Sequence, residues 1–348
     1  MKRVLATVLT LCIAGMSIVG CGSSNTTAQT ANTPSVAASA AGTEAASAAA
    51  PSKSANKKLT VGFAQIGQES GWRDAETSSI QFYAGQHVDT IDFKFADAQQ
   101  KQENQIKAIK SFIAMGVDVI GLAPVVETGW DAVFTEAKDA GIPIILVDRK
   151  AKVSDDLYTT FIGSDFIKEG NDAADELAKV MNNKGSIVEL EGTVGASAAN
   201  DRKKGFEDQL KAKYPDMKVI ASQTGDFTRA KGKEVMESFI KTYGNKINGV
   251  YAHNDDMMLG AIEAMKEAGL KPGKDIKTVS CDGVKGIFEE MVKGEANVTV
   301  ECNPLLGPQF FDTCQKLKDG QKVEKWIKSN ESVFRADTAA QDLPKRVY

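Results

Sequence analysis

The chain has 348 residues, 42% hydrophobic and 25% charged, so it falls in the range of ordinary globular proteins and is long enough for two domains. Its formal net charge is -4, with 46 acidic against 42 basic residues. The basic residues are spread along helical stretches, and no cluster of them could follow a phosphate backbone, which argues against a nucleic-acid-binding protein.

The first segment has the features of an export signal. Lys2 and Arg3 precede an apolar stretch from Val4 to Val19, which is too short to span a bilayer comfortably. The run IVGC that ends at Cys21 resembles the lipobox of bacterial lipoproteins, although Ile and Val stand where Leu and Ala or Ser are usual. Residues 1–21 therefore predict a lipoprotein signal peptide with lipidated Cys21. The alternative is a plain secretory signal with an incidental cysteine.

Residues 22–57 consist mainly of Ala, Ser and Thr and contain almost no large apolar side chain, so they cannot bury enough surface to fold. They predict a disordered tether. A lipidated cysteine, a tether and a folded body together predict an exported protein that is anchored at the outer face of the cytoplasmic membrane. Stable anchoring needs more than one acyl chain, as a lipoprotein cysteine carries.

From Leu59 onward, short runs rich in β-branched residues alternate with helical patterns, as in a parallel sheet wrapped by helices. Ten runs predict strands. In chain order they are LTVGFAQ (59–65), DFKFADA (92–98), VDVIGLAP (117–124), IPIILVDR (142–149), YTTFIGSD (158–165), GSIVELEG (185–192), KVIASQ (218–223), GVYAHND (249–255), KTVSCDG (277–283) and NVTVEC (297–302).

Amphipathic helices are predicted between the strands, and glycines such as Gly116, Gly141 and Gly269 end several of them. Ten strands are too many for one open sheet in a chain that should split into domains of about 150 residues. The expected fold class is α/β, with two doubly wound lobes. The clearest helical faces are Ile106, Ile109, Phe112 and Ile113 in residues 100–116, and Ile262 with Met265 in residues 255–269.

The predicted strand ends share one chemistry, and ligands of such sheets bind outside the carboxyl ends of the strands. Aromatic rings can pack on the CH face of a sugar, while paired carboxylates, amides and guanidinium groups can saturate its hydroxyls. The strand ends therefore favour a polyhydroxylated ligand. The residues are Glu69, Trp72, Arg73, Asp148, Arg149, Arg202, Phe227, Asn254, Asp282 and Glu301.

Each of these residues has a simpler interpretation when taken alone. Trp72 could be a packing wedge, Arg149 could only fix Asp148, and Asn254 with Asp255 could cap a helix. The hypothesis of a sugar site depends on the agreement of about seven independent strand ends.

Other chemistries are weakly supported. The odd number of cysteines in the folded part, Cys281, Cys302 and Cys314, argues against a disulfide framework, and without a C-x-x-C motif there is no sign of zinc or of a redox pair. We interpret them as small buried hydrophobic residues. His87 and His253 form no catalytic constellation and are expected to be packing or exposed residues. No nucleotide-binding G-x-x-x-x-G-K-[ST] occurs. We expect no enzyme activity, no cofactor and no metal.

Several long runs resemble the galactofuranose-binding members of the ribose/galactose family of periplasmic binding proteins, which serve bacterial ABC sugar importers. The resemblance covers nearly all of the chain after Leu59, but neither the signal segment nor the tether. The runs are VGFAQIGQESGWR, DAQQKQENQIKAIKSFIAMGVD, APVVETGW, ELEGTVGASAANDRKKGF, GDFTRAKGKEVMESFIK, YAHNDDMMLGAI and EAGLKPGKDI.

The resemblance implies the type I fold of this family, two Rossmann-like lobes joined by three crossings with a sugar between them. We expect an N-terminal lobe of residues 58–162 and 302–332, and a C-terminal lobe of residues 163–301 and 333–348. It implies ligand contacts from all ten strand-end residues. Glu301 departs from the ribose-binding members, which tend to have Gln there, and this fits a furanose better than ribose.

The expected mechanism is hinge closure around one monosaccharide, with the cleft charges paired, followed by delivery to a permease whose ATPase partner supplies the energy. Galactofuranose is the first choice by resemblance, and arabinose, ribose and galactose follow. We expect a monomer whose partners are the sugar, the permease subunits and the membrane. Alternatives are a glycosidase and a binding protein that serves a sensory or chemotactic partner. A repressor is excluded, because it would need an N-terminal helix-turn-helix where this sequence predicts an export signal and a tether.

Overall fold

The computed structural model describes residues 57–348. The predicted signal peptide, Cys21 and the tether as far as residue 56 lie outside the described residues. Within the described part, no helix combines the length and the apolar character that a bilayer crossing requires.

The described residues form twelve strands. They are β1 (Leu59–Gln65), β2 (Ile91–Asp97), β3 (Val119–Leu122), β4 (Ile144–Val147), β5 (Thr160–Gly163), β6 (Gly185–Glu191), β7 (Met217–Thr224), β8 (Gly249–Ala252), β9 (Lys277–Asp282), β10 (Val298–Glu301), β11 (Trp326–Lys328) and β12 (Val333–Arg335).

Ten α-helices of the described residues connect and cover these strands. They are α1 (Gly71–Gln86), α2 (Gln102–Met115), α3 (Asp131–Asp139), α4 (Phe166–Val180), α5 (Ser197–Lys213), α6 (Arg229–Tyr243), α7 (Asp255–Glu267), α8 (Lys285–Lys293), α9 (Gly307–Lys318) and α10 (Ala339–Asp342).

The strands form two six-stranded sheets, which confirms the predicted α/β class with two doubly wound lobes. The first sheet has the order β11-β5-β4-β3-β1-β2 and is parallel throughout. The second has the order β12-β10-β9-β8-β6-β7, and only β12 runs antiparallel to its neighbour. Every residue of β3, β4, β5 and β8 is buried, as expected for strands covered by helices on both faces.

All ten predicted strands are present as β1 to β10. The predictions for α2 and α7 are also confirmed: Ile109 and Phe112 of α2 are buried, and Ile262 and Met265 of α7 pack in a hydrophobic core. The two strands missed, β11 and β12, have three residues each, too few to show a period of two. Both lie at the edge of a sheet.

Three segments connect the two sheets: residues 164–165 after β5, residues 302–306 after β10, and residues 329–332 between β11 and β12. These connections support the expected lobe boundaries, which we keep as a proposal. We call the part around the first sheet the N-lobe and the part around the second sheet the C-lobe.

Helices α4 and α5 of the C-lobe approach each other backbone to backbone. A Cβ atom on Gly205 of α5 would lie 2.2 Å from the carbonyl oxygen of Ile167, and one on Gly170 of α4 would lie 2.3 Å from that of Arg202. Glycine at both positions therefore lets α5 bring Arg202 against Glu169 of α4, where Arg202 Nε donates to Glu169 Oε2 at 2.6 Å.

Replacing Gly205 by alanine tests this close approach. Gly205→Ala should lower the free energy of unfolding by about 1–3 kcal/mol, because a backbone carbonyl cannot move aside as a flexible side chain would. The matched control is Gly85→Ala in α1, where a Cβ would meet nothing within 4 Å and alanine should stabilise the helix by up to about 1 kcal/mol. Urea denaturation measures both. Equal stability of the two variants would contradict the packing described.

Candidate ligand-binding site

The carboxyl ends of both sheets face a cavity between the lobes, as expected for open α/β sheets. It contains about 260 Å³ of atom-free space, open solvent included. Nine of the ten predicted residues line it, and Glu301 does not. The lining residues are Glu69, Ser70, Trp72, Arg73, Asp148, Arg149, Ala198, Arg202, Phe227, Asn254, Asp282 and Cys302.

The first loop enters the cavity because helix α1 starts there. Ser70 is the N-cap, and its hydroxyl accepts a hydrogen bond from the backbone N–H of Arg73 at 3.1 Å. Trp72 and Arg73 follow in the first turn and are only 4% and 1% exposed. The local sequence SGWR thus fixes an indole and a guanidinium at the end of β1.

Trp72 is held from two directions. Its indole N–H donates to the carbonyl oxygen of Cys302 at 2.6 Å, which joins α1 to the second connection between the lobes. The guanidinium of Arg73 lies 4.8 Å from the centre of the ring. The ring also packs against the hydrophobic core of the C-lobe, so Trp72 contacts both lobes.

Phe227 lies on the C-lobe side of the cavity. Its carbonyl oxygen accepts a hydrogen bond from Asn254 Nδ2 at 3.0 Å, and the guanidinium of Arg149 from the N-lobe lies 5.0 Å from its ring centre. Asn254 Oδ1 also accepts from the backbone N–H of Met257 as the N-cap of α7. The simpler interpretation of Asn254 as a helix cap is therefore correct, and the same side chain also lines the cavity.

The N-lobe contributes a network of two guanidinium groups and three carboxylates, all buried. Arg73 bonds to Glu69 (3.2 Å), to Glu76 and to Asp148. Arg149 Nη2 donates to Glu69 Oε1 at 2.6 Å, and its Nε lies 3.8 Å from Asp148 Oδ2. The hypothesis that Asp148 and Glu69 are paired with guanidinium groups is confirmed.

The C-lobe contributes a second network around Arg202. Its Nε donates to Glu169 Oε2 at 2.6 Å, its Nη1 to the carbonyl oxygen of His253 at 2.6 Å, and its Nη2 to Asp282 Oδ1 at 3.4 Å. Arg202 is 3% exposed, so these oxygens take the place of water around the guanidinium.

Burial and pairing compete in setting the pKa values. Burial alone would lower the pKa of Arg73, but Glu76, Asp148 and Glu69 outweigh it and raise the pKa above its usual range. Burial lowers the pKa of Arg149, which has fewer close carboxylates. Burial also raises the pKa of Asp282 well above its usual value, although Arg202 opposes the rise.

Three lining residues adopt backbone conformations that are rare for side chains other than glycine. The φ angles are 62° at Asp148, 61° at Phe227 and 124° at Asp282. Such strain concentrates at functional sites, where the surrounding structure enforces it. Asp255 provides that support next to Asp282: its carboxylate accepts hydrogen bonds from Thr299 Oγ1 (2.8 Å), Ser280 Oγ and the backbone N–H groups of residues 283 and 284 (2.7 and 2.9 Å).

The structure places Glu301 outside the cavity. Its carboxylate accepts hydrogen bonds from Arg346 Nη1 at 2.9 Å, Tyr348 OH at 3.2 Å and the backbone N–H of Ser332 at 3.1 Å. Successive residues of a strand point to opposite sides, so the side chain that reaches the cavity from this strand end is that of Cys302. We therefore leave Glu301 out of the proposed site.

Sequence reasoning missed some of the residues around the cavity. Ser70 was recognisable as a helix cap before Trp72, and Ala198 belongs to the run of small residues before Arg202, but neither type signals a ligand contact. Glu76 is three residues after Arg73 on α1, a spacing that predicts an ion pair. Glu169 is far from Arg202 in sequence, and no local signal joins them.

The histidines and cysteines have structural positions. His253 is fully buried, with Nδ1 accepting from Gly192 N–H at 3.2 Å and Nε2 facing Glu189 Oε1 at 3.1 Å. His87 is exposed and stacks on Tyr83. Both match the expectation of packing or exposed residues. The three cysteines of the described part, 281, 302 and 314, are buried and free, as expected.

Residues 61–322 match the family described as the periplasmic binding protein domain. The chain belongs to this family. The match includes most of both sheets and every residue that lines the cavity. Membership confirms the predicted fold and the expectation of a binding protein rather than an enzyme.

Several individual relatives share more than half of their aligned residues with this chain. The galactofuranose-binding protein YtfQ of Escherichia coli (strain K12) is 53% identical over 307 residues, 87% of this chain and 96% of that protein. The crystal structure of a galactofuranose-binding protein is 54% identical with a TM-score of 0.79, and the match covers 83% of this chain and 98% of that one. The binding component of the arabinose ABC transporter of Shewanella sp. ANA-3, solved with α- and β-L-arabinofuranose, is 52% identical with a TM-score of 0.79, covering 83% and 95%.

The N-lobe network predicts a large cost for removing its central cation. Arg73→Met should lower the free energy of unfolding by about 3–5 kcal/mol, because buried Glu76 loses its guanidinium partner while Asp148 and Glu69 keep only Arg149. The control is Arg229→Met: the Arg229 side chain is 51% exposed and lies 3.8 Å from Asp256, a pair worth at most about 1 kcal/mol. Denaturant titration without ligand measures both, and a stable Arg73→Met protein would refute the role assigned to Arg73.

Proposed function

We propose that this protein captures a monosaccharide in its furanose form, with galactofuranose the first choice by similarity, and delivers it to the permease of an ABC importer. The similarity is to YtfQ and to the solved galactofuranose-binding protein, both above 50% identical over more than four fifths of this chain. The site is the cavity between the lobes. Its proposed sugar-binding residues are Glu69, Trp72, Arg73, Asp148, Arg149, Arg202, Phe227, Asn254 and Asp282.

One observation carries this proposal. Arg149 lines the cavity, is 2% exposed, and its Nε and Nη1 have no hydrogen-bond partner among residues 57–348. Buried N–H groups without partners are costly, so a ligand that brings oxygen acceptors is favoured. The rings of Trp72 and Phe227 supply apolar faces in the same cavity. A small molecule with both hydroxyls and CH faces matches this combination.

The lobes make contacts around the cavity that fit a closed form. Gly71 N–H donates to Asp256 Oδ2 at 3.0 Å, and Lys150 N–H donates to Ser197 Oγ at 2.8 Å. Glu127 N–H donates to the carbonyl oxygen of Gly195 at 2.9 Å. Sugar entry requires these bonds to break, and closure on the sugar reforms them. We propose a hinge motion about the three connections, driven by preferential binding of sugar to the closed form.

A second candidate ligand is arabinofuranose. The Shewanella transporter component, solved with that sugar, is nearly as similar to this chain as the galactofuranose-binding protein is. Both sugars are furanoses, so the ring form is the shared element of the proposal. Ribose, galactose and a sensory or chemotactic partner are the remaining alternatives.

The proposed setting is the outer face of the cytoplasmic membrane, at the cell surface or in a periplasm. Export agrees with membership of the periplasmic binding protein family. The signal peptide, lipidation of Cys21 and the monomeric state are proposals supported by the N-terminal sequence and by the expected partnership with a permease.

Calorimetric titration of the purified protein with a panel of monosaccharides tests the function. Galactofuranose should bind most tightly and arabinofuranose next, while pyranose-locked methyl glycosides should not compete. The same samples should release no reducing sugar from furanosides. Tight binding of a locked pyranose would contradict the furanose proposal, and turnover would contradict the binding-protein proposal.

Trp72→Ala tests the site. The variant should weaken binding of the preferred sugar by about one to three orders of magnitude, the range for a buried aromatic anchor. The control is Phe82→Ala on the same helix, where the ring is 70% exposed and far along α1 from the cavity. Fluorescence or calorimetric titration gives both affinities. If Trp72→Ala binds like the parent, the site is misassigned.

Cys21→Ser tests the anchor. In cells, the parent should take up labelled fatty acid and sediment with membranes, whereas Cys21→Ser should do neither, because the acceptor thiol is gone. Cys12→Ser, within the apolar stretch of the signal, is the matched control and should keep the label. An unlabelled parent protein would support the alternative of a plain secretory signal.

A further inference from the structure

The three connections between the lobes meet at one group of side chains. Ser164 is in the first connection, Cys302 in the second and Glu331 in the third. Ser164 Oγ lies 3.3 Å from Cys302 Sγ and donates to Glu331 Oε1, which also accepts from the backbone N–H of Asn303 at 3.3 Å. Polar side chains thus link the three connections between the lobes to one another.

Glu169 of α4 completes this group. Ligand atoms of Glu169, Cys302 and Glu331, one from each, all lie within 4.8 Å of one another. Glu169 is 2% exposed, and although its Oε2 accepts from Arg202, its Oε1 has no hydrogen-bond partner in the described part of the chain. A buried carboxylate oxygen without a partner is costly, and a bound cation would remove that cost.

The group lies between a surface groove and the ligand cavity. Glu169 and Glu331 line a groove of about 720 Å³ that lies beside the third connection, and Cys302 reaches the ligand cavity from the other side. Five carboxylates line the groove, and four of them pair with Lys168, Lys328, Arg202 or Arg346. Glu331 is the one that has no cationic partner among the described residues, so a cation there would find an unpaired carboxylate.

We propose that Glu169, Cys302 and Glu331 form a zinc site in the hinge. A thiolate with two carboxylates suits Zn²⁺, whereas Mg²⁺ and Ca²⁺ prefer oxygen ligands alone. Binding displaces the thiol proton of Cys302 into solvent, and water completes the tetrahedral set. Because the three ligands come from separate segments, no motif of fixed residue spacing indicates the site in the sequence. The metal would link α4 to the second and third connections.

Titration with zinc tests the proposal without any sugar. The full-length protein, treated with a chelator and desalted, should bind one Zn²⁺ with a rise in Tm, and should not bind Mg²⁺ or Ca²⁺. Co²⁺ in place of zinc should give the near-ultraviolet absorption of a thiolate–cobalt bond. Cys302→Ser should abolish that band, and both Cys302→Ser and Glu331→Gln should weaken zinc binding by about tenfold or more.

The matched controls are Cys314→Ser, a buried cysteine elsewhere in the fold, and Glu324→Gln, an exposed carboxylate near Glu331 in sequence. Both should keep parental zinc affinity. The proposal is overturned if the parent shows no saturable zinc binding, if the cobalt band survives in Cys302→Ser, or if both ligand variants bind zinc like the parent. The cobalt spectrum of the parent needs no variant, so a variant that fails to fold does not leave the question open.

Discussion

The structure depends on keeping three guanidinium groups and their carboxylates paired away from water. Arg73, Arg149 and Arg202 are each at most 3% exposed, and a buried charge without a partner would cost more than most single contacts supply. The pairing satisfies this constraint within each lobe separately: Arg73 and Arg149 bind carboxylates of the N-lobe, and Arg202 binds those of the C-lobe. The lobes can therefore separate without leaving any of these charges unpaired.

The contacts that join the two lobes at the cavity are weaker than these ion pairs and easier to break. The Arg149 guanidinium lies over the Phe227 ring, and the Trp72 indole N–H bonds to the carbonyl of Cys302 in a connection that belongs to neither sheet. Ion pairs within each lobe thus fix the side chains on its side of the cavity before the lobes close. Aromatic contacts and single hydrogen bonds then join the two sides. This division suits a hinge that opens and closes, because the costly ionic arrangement is the same in both forms.

The sequence was sufficient for the fold and for most of the cavity because both follow from local rules. Buried β-branched runs gave all ten longer strands, and the rule that ligands meet strand ends brought nine of the predicted residues together. The sequence reasoning was wrong at the end of β10, where a shift of one residue decides which side chain faces the cavity. Cys302 lines the cavity there and Glu301 does not. It also failed for Glu169, whose pairing with Arg202 exists only because two helices cross at glycines.

For the same reason, the group of side chains at the connections between the lobes could not be predicted from the sequence. Ser164, Cys302 and Glu331 are separated by 138 and 29 positions, and each is the kind of residue that a connecting segment contains by chance. Only a topology in which the chain passes between the lobes three times brings them into contact. The crossing that makes a two-lobed binding protein possible therefore also gathers polar groups at its pivot, where their burial requires partners. A cation bound by Glu169, Cys302 and Glu331 would join α4 to the second and third connections, and would so act on the equilibrium between open and closed lobes.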